Sequence, residues 1–179
     1  VMAGVVADGA IRLEEVNRFP TNGLEKGGSW HWDVKSIFDQ VVDGLTRASI
    51  LYGSRVVGMS VDTWGVDYGL LDASGELLCD PFMYRDDRTD GVESRVHNLV
   101  SKETIYNETG IQFMFFNSIN QLFAEKESGA GRLDAASDLL FMPDLFNYWL
   151  SGAKVQERSI ASTSQLLNPT TGKWSDVLV

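Results

Sequence analysis

The sequence holds a single cysteine, Cys79, in 179 residues. An internal disulfide is therefore impossible, and a cytosolic setting is favoured. Histidine is nearly as scarce, with only His31 and His97. One thiol and two imidazoles are too few ligands for an ordinary structural zinc site. Long apolar runs are missing too. The longest candidate, 139–150, is broken by Pro143, Asp144 and Asn147. It falls short of the roughly 18 residues that a membrane span needs. No basic segment followed by an apolar one opens the chain, so no signal peptide is expected there. Positive charge is in deficit, with 15 Lys and Arg against 25 Asp and Glu, a net charge of −10. That balance argues against neutralising phosphates along DNA or RNA. It does not exclude one nucleotide in a pocket, because local charge can differ from net charge.

What is present describes a folded domain. Hydrophobic residues make up 44% and charged ones 22%, an ordinary globular balance. Nine Phe, five Trp and five Tyr are too many aromatics for a disordered acidic tail. The length suits one domain or slightly more, and such a chain buries roughly 70% of its unfolded surface. Both ends read as cut. Val1, Val5 and Val6 look like the middle of a strand, and 174–179 looks like a first helical turn with Ser175 as its N-cap.

Along the chain, residues 1–19 read as a hairpin around Asp8-Gly9, a type I′ pair. Residues 20–29 read as a loop. Asp33 is placed to cap a helix whose apolar face is Val34, Ile37, Phe38, Val41, Val42, Leu45 and Tyr52. The run 56–61 reads as a strand covered on both faces. A strand over 66–71, the turn Asp72-Ala73-Ser74-Gly75 and a short strand near 77–79 follow. Helices are expected over 90–100, 102–108, 118–127, 143–150 and 159–166. Pro143 suits a first helical turn. The layout is α/β with a mixed sheet. Neither G-x-G-x-x-G nor G-x-x-x-x-G-K-[ST] occurs.

Three clusters carry chemistry. Residues 60–69 leave a strand with two carboxylates, Trp64, Tyr68 and two glycines. Gly65 permits close approach of a backbone or ligand, and Trp64 offers a flat plate that suits the C–H patches of a sugar. The alternative is a bend whose Trp fills the core. In 84–89, Asp86, Asp87 and Arg88 read as a self-paired helix start, while Tyr84 stands at a strand end. Residues 113–117 read as core, with Asn117 in need of a partner. Asp62 and Asp67 could flank a glycosidic bond, although their spacing fixes no distance. His31 and His97 read as surface histidines.

The segment Ser60-Val61-Asp62-Thr63-Trp64-Gly65-Val66-Asp67-Tyr68 resembles the I-D-T-W-G-V-D-F stretch of bacterial rhamnulokinases, in the FGGY family of carbohydrate kinases. The likeness runs on in order through Trp32-Asp33-Val34, Tyr84-Arg85-Asp86 with Arg88-Thr89, 109–113, Phe116-Asn117, 140–144 and 162–168, and ends at Trp174. It implies a ribonuclease H-like (actin-like ATPase) α/β fold, a mixed sheet flanked by helices, with residues 1–179 forming an N-terminal domain that is incomplete at both ends. The first strand and its phosphate loop would lie before Val1. The catalytic Asp and the nucleotide-binding C-terminal domain would lie beyond Val179. The implied reaction transfers the ATP γ-phosphate, with Mg²⁺, to O1 of L-rhamnulose in the cytoplasm, with no nucleic-acid or membrane partner. Another ketose of the fuculose or xylulose type, or a non-catalytic sugar-binding module, is the alternative. By position, Thr63, Trp64, Gly65, Tyr84 and Phe116 would contact the sugar. No catalytic, nucleotide-binding or metal-binding residue would fall in this chain, which is expected to be inactive alone.

Overall fold

The computed structural model describes residues 1–179. The chain divides into two units, one of residues 1–24 and 32–60, the other of 25–31 and 61–179. No helix is long and apolar enough to cross a membrane.

In the first unit, β1 (Met2–Ala7) and β2 (Ala10–Glu15) form the expected antiparallel hairpin, in register from Met2↔Glu15 to Ala7↔Ala10. Asp8 and Gly9 both take positive φ, 52° and 74°, as a type I′ turn requires. Helix α1 (Val34–Tyr52) starts where Asp33 accepts from the Ser36 N–H at 3.1 Å. Its buried residues are Val34, Ile37 and Gly44, whereas Val42 faces solvent. Gly44 is a glycine for a reason: a Cβ there would collide with the Val1 side chain. Asn17 Nδ2 donates to the Gln40 carbonyl at 2.9 Å and Tyr52 Oη to Glu14 Oε2 at 2.5 Å, which ties helix to hairpin.

The expected strand over 56–61 does not form. β1 and β2 pair only with each other, and Val56, Val57 and Met59 are exposed, Val57 at 99%. The β-branched pattern reports suitability for a pleated surface, not the presence of a neighbouring strand. The expected loop over 20–29 also differs. β3 (Gly23–Lys26) and β4 (Ser29–Trp32) pair around Gly27-Gly28, whose φ angles are 60° and 84°. The glycine pair is thus a hairpin turn rather than loose connection.

The second unit is built on β5 (Tyr68–Leu71), antiparallel to β6 (Asp138–Phe141) from Tyr68↔Phe141 to Leu71↔Asp138. β6 lies in the apolar run before Pro143, which hid it. After β5, Asp72 Oδ1 accepts from the Ser74 and Glu76 N–H groups and closes the predicted turn. The short strand near 77–79 reduces to one bridge, Leu71↔Leu77. Helices α2 (Val92–Leu99), α3 (Lys102–Thr109), α4 (Ser118–Glu127), α5 (Arg132–Ala135), α6 (Met142–Ser151) and α7 (Arg158–Ser162) follow, then the antiparallel pair β7 (Leu167–Asn168) and β8 (Lys173–Trp174). Strands thus associate as four two-stranded ribbons, not as one continuous mixed sheet.

Two apolar clusters hold this unit together. Tyr68, Leu70, Phe141, Ala161 and Leu167 form one, and Val92, Val96, Ile105, Ile119 and Leu166 the other. Gly69 lets Leu77 and Leu145 close over β5, since its Cβ would stand 2.7 Å from Leu77 Cδ2. The run 113–117 is not core throughout: Phe115 is exposed, while Asn117 is buried. His31 is not a surface histidine. It is buried on β4, 4.1 Å from the Phe82 ring centre, with Nδ1 2.7 Å from the Asp80 carbonyl.

Asp144, in the first turn of α6, is buried, and Oδ1 accepts from the Glu157 N–H at 3.1 Å. Oδ2 has no hydrogen-bond partner. Burial raises this carboxyl above its ordinary 3.8. The folded chain therefore holds the proton more tightly than the unfolded one, and Asp144 weakens folding as pH rises through that window. Asp144→Asn should match or exceed the original urea midpoint at pH 7, and lose that relative gain below pH 3.8. Parallel urea titrations at the two pH values check it.

Candidate functional site

The five residues assigned to sugar contact by resemblance all lie in the second unit, and each is half-buried. What joins Trp64, Tyr84 and Phe116 is Asp67, which is fully buried just before β5. Its Oδ2 accepts from Trp64 Nε1 at 2.9 Å and from the Tyr84 N–H at 3.1 Å. Its Oδ1 accepts from Gln121 Nε2 at 2.9 Å. The same amide nitrogen lies 3.0 Å from the Phe116 carbonyl. Trp64, Tyr84 and Phe116 are thereby hung on one carboxylate–amide pair. The Tyr84 and Phe116 rings meet edge to face, 5.5 Å between centres. Thr63 caps its neighbour, its hydroxyl donating to the Trp64 carbonyl at 3.0 Å.

A carboxylate away from water needs donors, because burying an uncompensated charge is costly. The sequence supplies them from three places: the bend itself, the end of the segment after β5, and α4. Helix α4 buries a polar face. Ser118, Gln121 and Glu125 recur at helical spacing and all are buried. Gln121 cannot turn its amide over, because Oε1 already accepts from Arg88 Nη2 at 3.0 Å. Arg88 also reaches Glu125 at 3.3 Å and lies 3.9 Å from the Phe82 ring centre. Glu125, with its side chain 2% exposed, takes a two-pronged contact from Arg132 at 2.6 and 3.0 Å. Arg88 is therefore not part of a self-paired helix start. Asp86 is, accepting from the Arg88 N–H at 3.0 Å. The Tyr68 phenol lies within this charged cluster, and burial pushes it up to about 12, so it stays neutral.

The backbone between Trp64 and Asp67 is strained. The Asp67 N–H donates to the Gly65 carbonyl at 2.9 Å, and Val66 between them has φ 67°. This is the rarer, positive-φ form of the γ-turn. For a β-branched residue it is an outlier costing on the order of 1–3 kcal/mol. The Val66 N–H donates to Thr163 Oγ1 at 3.0 Å, and its carbonyl accepts from Ser118 Oγ at 2.6 Å. A Cβ on Gly65 would lie 3.1–3.2 Å from the Thr163 side chain, so the missing side chain makes room for Thr163.

The Tyr84 and Phe116 rings, with Trp64 tied to the same carboxylate, are of the residue types that suit a sugar ring. Two cavities, of about 350 and 340 Å³, are lined by other residues. Asp62 is exposed and Asp67 is saturated with donors, so these carboxylates do not flank a common bond. No three His, Cys, Asp or Glu side chains converge on a metal position. Asp67, the carboxylate at the aromatic set, has its oxygens occupied, so these residues do not fit Mg²⁺.

The model for the N-terminal domain of the FGGY family of carbohydrate kinases matches residues 9–179. The chain belongs to the FGGY family of carbohydrate kinases. Among similar proteins, the rhamnulokinase of Bacteroides thetaiotaomicron is 40% identical over 98% of this chain and 36% of its own length. That of Enterococcus faecalis is 42% identical over 97% of this chain and 34% of its own. The chain thus spans about a third of the length of these relatives. Among solved structures, the gluconate kinase of Lactobacillus acidophilus has a TM-score of 0.79 at 20% identity, over 94% of this chain and 34% of that one. The xylulose kinase of Rhodospirillum rubrum also reaches 0.79, at 18% identity, over 94% of this chain and 35% of that one. The ribonuclease H-like, actin-like ATPase fold expected from the FGGY resemblance is thereby shown.

Sequence pattern does not single out Gln121, Ser118 or Thr163 as a site, and it offers Asp67 only as one of a carboxylate pair with Asp62. The signal was there for α4, whose polar residues recur at the spacing usually taken by leucine. Asp67→Asn should place an amide NH₂ against buried donors and lower stability by about 3 kcal/mol, with loss of the native Trp64 fluorescence environment. Urea unfolding followed by tryptophan emission measures both.

Proposed function

We propose that this chain forms the sugar-binding part of an ATP-dependent cytoplasmic ketose kinase that phosphorylates O1 of L-rhamnulose. The reading is carried by one observation: Trp64, Tyr84 and Phe116 are fixed together on the buried Asp67–Gln121 pair. The relatives at 37–42% identity named rhamnulokinase support the choice of ketose.

In this reading Trp64 packs on a C–H face of the ring, and Tyr84 and Phe116 close its edge. Thr63 and the Gly65 backbone supply polar contacts. These residues bind and orient; they move no proton. Positioning is most of what phosphoryl transfer asks of a protein. In the full-length enzyme ATP would supply the phosphoryl group and Mg²⁺ would neutralise its charge, neither of them held by the residues of this site. The phosphate loop, the base and the nucleotide domain belong to parts of the enzyme outside this chain, which agrees with its spanning about a third of its relatives.

A full-length protein containing this chain should turn over L-rhamnulose with a higher kcat/KM than L-fuculose or D-xylulose in a coupled ADP assay. A faster rate with another ketose overturns the substrate. Trp64→Ala should raise the ketose KM about tenfold, the loss of roughly 1.4 kcal/mol of binding, and leave the ATP KM unchanged.

A further inference from the structure

We propose that Thr163 is a positioning residue for the sugar platform: its hydroxyl latches the strained Val66 and so sets where Gly65 and Trp64 stand. This rests on the ketose reading above and extends it to a residue outside the five.

The segment 162–168 is the second motif of the sequence, far from Trp64 along the chain and carrying no sugar contact of its own. The structure brings it onto the first motif. Thr163 follows α7 directly. Its Oγ1 donates to the Ile160 carbonyl at 2.7 Å, which leaves its lone pairs for the Val66 N–H at 3.0 Å. A hydroxyl can do both, since it carries one donor and two acceptor sites. The Val66 carbonyl is held from the opposite side by Ser118 of α4. The peptide groups on either side of Val66 are therefore pinned by different helices, and that is how a valine persists at φ 67°.

Thr163 also fills the space of the absent Gly65 side chain, its Cγ2 3.1 Å from where a Cβ would be. A methyl at position 65 would press on Thr163, which would have to give by a few tenths of an ångström. If the hydroxyl is removed, Val66 gains by relaxing to negative φ. The peptide before it then rotates, and Gly65 and Trp64 move with it. Displacements of about 1 Å at a binding platform cost up to a hundredfold in rate or affinity terms.

The test compares Thr163→Val, which keeps the shape and loses the hydroxyl, with Thr163→Ser, which keeps the hydroxyl. In a full-length protein containing this chain, Thr163→Val should raise the ketose KM about tenfold, with kcat and the ATP KM within about twofold. Thr163→Ser should stay within about threefold of the original on all of them. Equal KM values in the two variants, or an ATP KM rising in step with the ketose KM, overturn the proposal.

A second readout needs no substrate. The Trp64 indole N–H resonance, assigned with Trp64→Phe, should shift and exchange faster with water in Thr163→Val. If it does so while no ketose is phosphorylated by the original protein, the ketose reading falls and the latch stands. If it does not move, the latch falls whatever the kinetics. Should Thr163→Val not fold, Gly65→Ala replaces it. The added methyl should disturb the Trp64 resonance strongly opposite threonine and less opposite Thr163→Ser. Equal disturbance in both backgrounds overturns the proposal.

Discussion

The second unit is organised around a carboxylate buried without direct access to water. Asp67 is tolerable only because N–H groups from Trp64, Tyr84 and Gln121 point at it. Each donor is fixed in turn. Gln121 is oriented by Arg88, Arg88 by Glu125, and Glu125 by Arg132. The result is a polar spine from the aromatic set, along the inner face of α4, to α5. Hydrogen bonds are directional where apolar contacts are not. The spine therefore fixes the orientation of the aromatic side chains, and the two flanking apolar clusters supply the burial that makes the region cohere.

This arrangement also explains how strain is kept. A valine in a positive-φ γ-turn would relax if either of its peptide groups were released. Here the N–H goes to Thr163 and the carbonyl to Ser118. Gly65 is the enabling residue: without a side chain it lets Thr163 approach. The two sequence motifs, 60–69 and 162–168, thus meet at Thr163, Gly65 and Val66.

Much of the fold could be read directly from local pattern. Asp33, Asp8-Gly9, Pro143 and the turn at Asp72 each carry a mechanism within four residues of themselves, and each formed as read. Failures came where the deciding partner lies far away in sequence. The 56–61 run has strand chemistry but no neighbour. His31 is buried by Phe82 and Asp80, some fifty positions on. β6 needed knowledge that β5 would pair with it. The candidate site shows the same split. Trp64, Gly65 and Tyr84 stood out by type and place, whereas Asp67 looked like a reagent and is a scaffold. Gln121 and Thr163 act only through contacts tens of residues distant.

The exposed segment at 56–59 sets apolar side chains against solvent. Val56, Val57 and Met59 have the composition of a sheet interior, and the segment pairs with no strand. Unpaired backbone of this kind is an open template for a strand from elsewhere. A segment with the composition of a buried strand is thus left facing water along its first four residues.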